Sequence, residues 1–123
     1  MKKTLLFLTI VSLLFSCSSD SNGSNNNNNN SNNIPIGTTV KLEASISSGN
    51  TIAVVQYKDG QGNLISLTNV PNNWSTTYQV TTSIPNIFLQ VNCGSISLST
   101  GKIYINGVLK KNATANVVTL YYP

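Results

Sequence analysis

The chain has 123 residues, with seven lysines, three acidic residues, no histidine, no arginine and a formal net charge of +4. That length allows one domain at most once segments that do not fold are set aside. The missing imidazole excludes Ser–His and Cys–His nucleophile systems, and the missing guanidinium excludes bidentate recognition of phosphate.

The N-terminus reads as an export signal. Met1-Lys2-Lys3 is a short basic start, and residues 5–15 form an apolar run interrupted only by Thr9 and Ser12. Such a charged region followed by a short hydrophobic one marks a secretory leader. The run is too short to span a bilayer, which takes about 20 helical residues. Leu14-Phe15-Ser16-Cys17 resembles the bacterial lipobox: an aliphatic residue at −3, a small residue at −1 and cysteine at +1. The resemblance implies cleavage before Cys17, a diacylglycerol on its sulfur and an acylated amino terminus. An ordinary leader that happens to end in cysteine is the competing reading. Acyl chains hold because each buried methylene contributes ~0.8 kcal/mol, and two or more chains make release slow. Ser18 at the following position resembles the pattern that sends lipoproteins to the outer membrane. Cys17-Ser18-Ser19-Asp20 before an Asn/Ser stretch also looks like lipoproteins of Bacteroidetes. Whether the periplasmic or the surface leaflet holds the protein stays open.

Removal of residues 1–16 takes Lys2 and Lys3 away. Lys41, Lys58, Lys102, Lys110 and Lys111 then stand against Asp20, Glu43 and Asp59. The pI of about 9.2 thus reflects scarce acids, not a dense basic patch, and no nucleic-acid partner is expected. Residues 17–33 form a lipidated cysteine and a tether. From Ser21 to Asn33 only Ser, Asn and Gly occur, with an unbroken Asn run at 25–30. This stretch can bury no apolar area to offset ordering entropy, so it is predicted to be disordered. A coil of roughly 13 residues spans about 20 Å and would hold the domain off the headgroups.

The folded domain is predicted over residues 34–123. Val40, Leu42, Ala44 and Ile46 alternate with Lys41, Glu43 and Ser45, the period of a half-buried strand. Ser48-Gly49-Asn50 turns the chain into a second strand at 51–58, and the Gly-rich 59–63 connects to a third at 64–70. Pro71 breaks that strand because it has no N–H for a ladder. Trp74, Thr76, Tyr78 and Val80 share one face of a fourth, and 87–93 is a fifth, with Cys93 in phase with Ile87, Leu89 and Val91. If Cys17 is lipidated, Cys93 has no disulfide partner in the chain and reads as a core residue. Residues 96–105 form a sixth strand, bulged at Gly101. Asn106-Gly107 is a type I′ hairpin signal, followed by a short strand at 108–111 and a last one at 116–122. About seven short strands, spaced by turns, read as a small all-β sandwich, with a small β-barrel as the alternative.

Three motifs recur in order: Val55-Gln56-Tyr57-Lys58-Asp59-Gly60, Val70-Pro71-Asn72-Asn73-Trp74-Ser75 and Ile103-Tyr104-Ile105-Asn106-Gly107. Together they resemble the soluble domain of MmpS-type transport accessory proteins and related small bacterial lipoproteins. The resemblance covers roughly residues 41–122. It implies an immunoglobulin-like β-sandwich outside the inner membrane that accompanies an envelope complex or transporter.

Few side chains offer chemistry. Glu43 and Asp59 are the acids of the domain; Asp59 sits in a Gly-rich turn, where aspartate caps local backbone. Two carboxylates and one thiol without imidazole make a poor metal set, so neither catalysis nor a cofactor or metal is expected. Trp74, Tyr78, Tyr104, Tyr121 and Tyr122 are the aromatic candidates. On alternating strand positions they fill a core or cover an edge; as an exposed platform, Trp74, Tyr121 and Tyr122 would stack on carbohydrate or another small ligand. The expectation is a lipid-anchored, non-enzymatic accessory or protein-interaction module, with a surface ligand-binding lipoprotein as the alternative. An exposed aromatic cluster near Trp74 would favour the ligand, and an exposed apolar edge the protein partner.

Overall fold

The structure, a computed structural model, describes residues 32–94 and 96–123. The leader predicted at 1–16, the expected lipidation site Cys17 and nearly all of the predicted 17–33 tether lie outside the described residues. Eight strands follow in order: β1 (Thr39–Ile46), β2 (Thr51–Lys58), β3 (Leu64–Pro71), β4 (Trp74–Gln79), β5 (Ile87–Asn92), β6 (Ser99–Ile105), β7 (Val108–Ala115) and β8 (Val117–Tyr122). The described residues contain no helix, and the strands form two open antiparallel sheets, β4-β1-β6-β7 and β3-β2-β5-β8. The fold is an all-β sandwich, not a closed barrel.

Both sheets turn their apolar phase inward. In β1 Val40, Leu42, Ala44 and Ile46 are buried, and in β5 Ile87, Leu89 and Val91 are fully so. Ile52, Val55, Ile103, Val118 and Leu120 join them in one core, with Cys93 at its margin. Each fully buried Val, Leu or Ile contributes roughly 1.5–3 kcal/mol relative to exposure. Gly101 faces this core from β6. A Cβ there would meet Val118 Cγ1 at 3.0 Å, so glycine lets the sheets approach.

The order β3-β2-β5-β8 matches the immunoglobulin strands C′, C, F and G, and β4 beside β1 matches E beside B. One rearrangement distinguishes this chain. The β6–β7 hairpin intervenes between the F-like and G-like strands, and β6 takes the place beside β1 that the first strand holds in an immunoglobulin domain.

Several boundaries differ from the sequence reading. β3 ends at Pro71, one residue beyond the predicted end, as an edge strand allows. Residues 96–98 belong to the connection before β6, which starts at Ser99. The register shift lies between Ile103 and Tyr104, while Gly101 pairs regularly with Ala44 and Ala113. β7 runs to Ala115, well past Lys111, although nearly all its side chains are exposed. Asn106 and Gly107 adopt φ of 49° and 81°, as the type I′ hairpin requires.

All odd-numbered strands begin, and all even-numbered strands end, at one end of the sandwich. Ile34 enters there, bridging to Ile84, and Asn106 clamps the start of β1 by donating N–H to Thr39 O and accepting Thr39 N–H at Oδ1. The opposite, distal end gathers the turns around residues 47–50, 72–73, 93–94, 96–98 and 116. Asn72 is its hub: Oδ1 accepts Ile46 N–H and Asn73 N–H, and Nδ2 donates to Ile46 O and Gly49 O.

Candidate functional site

The reactive side chains of the domain are engaged in structure. Glu43 lies on the outer face of β1, where Lys41 Nζ sits 2.7 Å from Oε1, Lys102 Nζ 3.8 Å from Oε2, and the Tyr104 hydroxyl donates to Oε2 at 3.0 Å. The register explains this cluster, since Glu43 is opposite Lys102 and Lys41 opposite Tyr104. The hydrogen bond from Lys41 holds the Glu43 carboxyl below its ordinary pKa. Desolvation opposes this, and Tyr104 and Lys102 reinforce it. The same bond raises Lys41. At Asp59, desolvation pushes the carboxyl up but is outweighed by donors from its own loop. Asn63 N–H and Gln61 N–H donate to Oδ1, Asn63 Nδ2 donates to Oδ2, and the net pKa is lowered. The Asp59 side chain therefore caps its turn, as the sequence suggested. The Cys93 thiol is buried and donates to Ser97 O at 2.8 Å. The described residues hold no group of three or more His, Cys, Asp or Glu able to bind a metal.

The candidate aromatics do not form one platform. Trp74 opens β4 and is half-buried; its ring packs on Tyr57 at 5.4 Å, and Tyr57 stacks on Tyr78 at 6.3 Å. This triad closes the sandwich along the β4 side. Burial raises the Tyr78 phenol, with the nearby Tyr57 and Asp59 adding to the shift, and its buried hydroxyl has no hydrogen-bond partner among the described residues. Tyr121 and Tyr122 lie on β8, in the other sheet. Tyr122 leans on the core, whereas Tyr121 is 57% exposed and pairs with Phe88, ring centroids 5.2 Å apart. The sequence reading missed Tyr57 and Phe88 as aromatic partners. Phe88 was accessible from alternation, because it is out of phase with buried Ile87 and Leu89, as Tyr121 is with Leu120.

Beside Trp74, a depression of about 230 Å³ is lined by Glu43, Ser45, Asn73, Ser75, Thr100 and Lys102. It offers hydroxyls, an amide and an ion pair.

Exposed apolar side chains fall at the two ends. At the distal end Ile96 is fully exposed and Leu98 and Val117 are exposed. Seryl and carbonyl groups knit this end together: Ser47 N–H donates to Leu98 O, and Ser97 Oγ donates to Ser48 O. No charged residue occurs in its turns. Ile36, Leu64, Val108, Leu109 and Tyr121 are exposed at the other end.

The fold and these surfaces define a small β-sandwich whose acids and thiol are committed to its own structure. No protein-family model matches the chain, and no curated protein is significantly similar to it. Among the described residues no helix is long and apolar enough to cross a membrane.

Proposed function

We propose that this protein is a lipid-anchored, non-enzymatic module of the bacterial cell envelope that meets a protein partner through the distal end of its sandwich. The observation that carries the reading is the apolar, uncharged surface of Ile96, Leu98 and Val117 at the end opposite the tether. A chain held at Cys17 through residues 18–33 presents that end away from the bilayer. Scattered apolar side chains are ordinary on protein surfaces, but a cluster without charge has the composition of an interface centre. The withdrawal of Trp74 against Tyr57 favours the protein partner over an aromatic sugar platform. The MmpS-type resemblance supports an accessory role beside an envelope complex or transporter, and the lipobox with Ser18 supports the outer membrane.

Site-specific photocrosslinking in living cells tests this. A photoreactive residue at position 96 should yield one discrete protein adduct, lost when Leu98→Lys is added, and the same probe at Thr77 should yield none. Absence of an adduct from positions 96, 98 and 117 alike would refute the reading.

A second reading has one specific observation behind it, the hydroxyl-lined depression beside Trp74. It fits a sugar or another small polar ligand. Quenching of Trp74 fluorescence during titration with oligosaccharides, abolished by Ser75→Val, would move the assignment to a ligand-binding lipoprotein.

A further inference from the structure

The tether end of the sandwich has a composition that a simple spacer does not need. Of the eight large apolar side chains exposed among the described residues, five lie at this end: Ile36, Leu64, Val108, Leu109 and Tyr121. Ile36 is 67% exposed and Val108 55%. Ile36 precedes the segment that Asn106 clamps to the hairpin turn, and Val108 and Leu109 follow that turn directly. Lys110 and Lys111 come next on β7, and Lys58 closes β2 beside Leu64. The acid of this end, Asp59, has its carboxylate turned into its own loop.

We infer that this end docks on the lipid surface that carries the anchor, with Val108, Leu109 and Ile36 entering the headgroup layer and Lys110 and Lys111 facing anionic phosphates. The inference rests on the proposed anchoring at Cys17. Short apolar tips flanked by lysines suit an interface, because the apolar part sits at the acyl boundary while the long lysine stems reach back to the headgroups. Lysines near an anionic bilayer are attracted over about a Debye length. Tyrosine is among the residues favoured at that depth, which is the place of Tyr121 on the rim of the second sheet. The sequence outside the described residues adds the decisive constraint. Few residues separate Cys17 from Ile34, and the coil expected from their composition would have a typical span of about 20 Å, short enough to hold this end near the bilayer. At such range a weak surface affinity is enough, because the local concentration of lipid is already high. The distal end carries apolar side chains without lysines and is turned away, which makes it the internal control.

The test uses the full mature, lipidated chain in vesicles of phosphatidylethanolamine and phosphatidylglycerol. An environment-sensitive fluorophore is placed through Val108→Cys or, separately, Ile96→Cys, both exposed sites; buried Cys93 stays unlabelled, and Trp74 fluorescence reports that the fold is kept. Co-flotation with vesicles reads the anchor, and quenching by doxyl-labelled lipid reads docking. The expected result is flotation of both proteins with several-fold stronger quenching at 108 than at 96, reduced when Lys110→Glu and Lys111→Glu are combined. Flotation with equal quenching at the two sites overturns docking and leaves the anchor standing. Failure to float overturns the anchor, and the docking inference falls with it.

Discussion

Replacing Asn72 by alanine should be among the most damaging changes to any exposed or half-exposed side chain. Its amide makes four hydrogen bonds that tie the end of β1 and the β1–β2 turn to the β3–β4 corner. Two of these serve Ile46, whose residue is only 8% exposed, so alanine leaves a nearly buried N–H and C=O without their partner. A typical intramolecular hydrogen bond contributes about 1 kcal/mol net, and an orphaned buried group adds its own desolvation cost. The bonds to Asn73 N–H and Gly49 O are exposed, and water replaces them at little cost. The sum is a loss of about 2–3 kcal/mol. With a urea slope of about 1 kcal/mol per molar for a domain this small, the unfolding midpoint falls by about 2–3 M. Urea melts can be followed at Trp74, the single tryptophan, which reports unfolding through its packing on Tyr57. Asn72→Asp keeps the Oδ1 acceptor and loses the Nδ2 donors, so its loss should be intermediate. A drop below about 0.5 kcal/mol for Asn72→Ala, within the ordinary scatter of surface changes, would refute the idea that this amide holds the corner.

Four further outcomes follow from the same contacts. Gly101→Ala places a methyl 3.0 Å from Val118 Cγ1 and should cost about 1–3 kcal/mol by overpacking; Val118→Ala in the same chain should recover part of the loss in urea melts. Tyr78→Phe removes a buried hydroxyl that lacks a partner, so stability should hold or rise by up to about 1 kcal/mol, and a clear fall would show a partner the geometry lacks. On pH, Glu43 and Asp59 are depressed in the folded state. Their contribution is complete above unfolded values of about 4.3 and 3.9 and fades as pH falls through the folded pKa values. Lys41 and Tyr78 are raised, so their contribution is complete below about pH 10 and fades as pH rises further. Urea midpoints should therefore plateau at neutral pH and fall at both extremes, with Asp59→Asn flattening the acid side. Finally, Cys17→Ala should release the protein from the membrane fraction, and unchanged fractionation would refute lipid anchoring.

The strands of this fold were legible wherever side-chain phase was regular. Val40 to Ile46 and Ile87 to Val91 alternate without fault, and both lie buried on the side alternation assigned. β3 is less transparent. Asn69 adopts φ of 52°, so both Leu67 and Val70 face inward, which a period of two forbids. β7 carries Lys110, Lys111 and Asn112 with hardly a buried residue, and its length comes from pairing with β6, not from an apolar pattern. Pairing partners are tertiary facts, and no local window contains them. For the same reason the candidate residues separated: Trp74 and Tyr121 are both aromatic strand residues, yet sheet order places them in different sheets. The contacts of Glu43 were hidden too, because Lys102 and Tyr104 are far away in sequence and adjacent only through the β1–β6 register.

The rearranged hairpin explains why the two ends differ. β6 pairs antiparallel with β1, so β6 must finish where β1 begins, and the turn at Asn106-Gly107 is forced to the end where the tether enters. An immunoglobulin domain whose first strand held this place would instead carry there the turn into its second strand, with its chain terminus at the opposite end. Inserting the strand as a hairpin brings the start of β7, with Val108 and Leu109, to the same end of the sandwich as Ile36. The same insertion puts residues 93–94 and 96–98 at the distal end, because β5 and β6 belong to different sheets. That placement is what exposes Ile96. One topological change therefore produces both an amphipathic end next to the tether and an uncharged apolar end opposite it. If both surfaces matter, shortening the β6–β7 turn region should disturb lipid contact while leaving crosslinks from position 96 intact. Substitution of Ile96 and Leu98 should do the reverse.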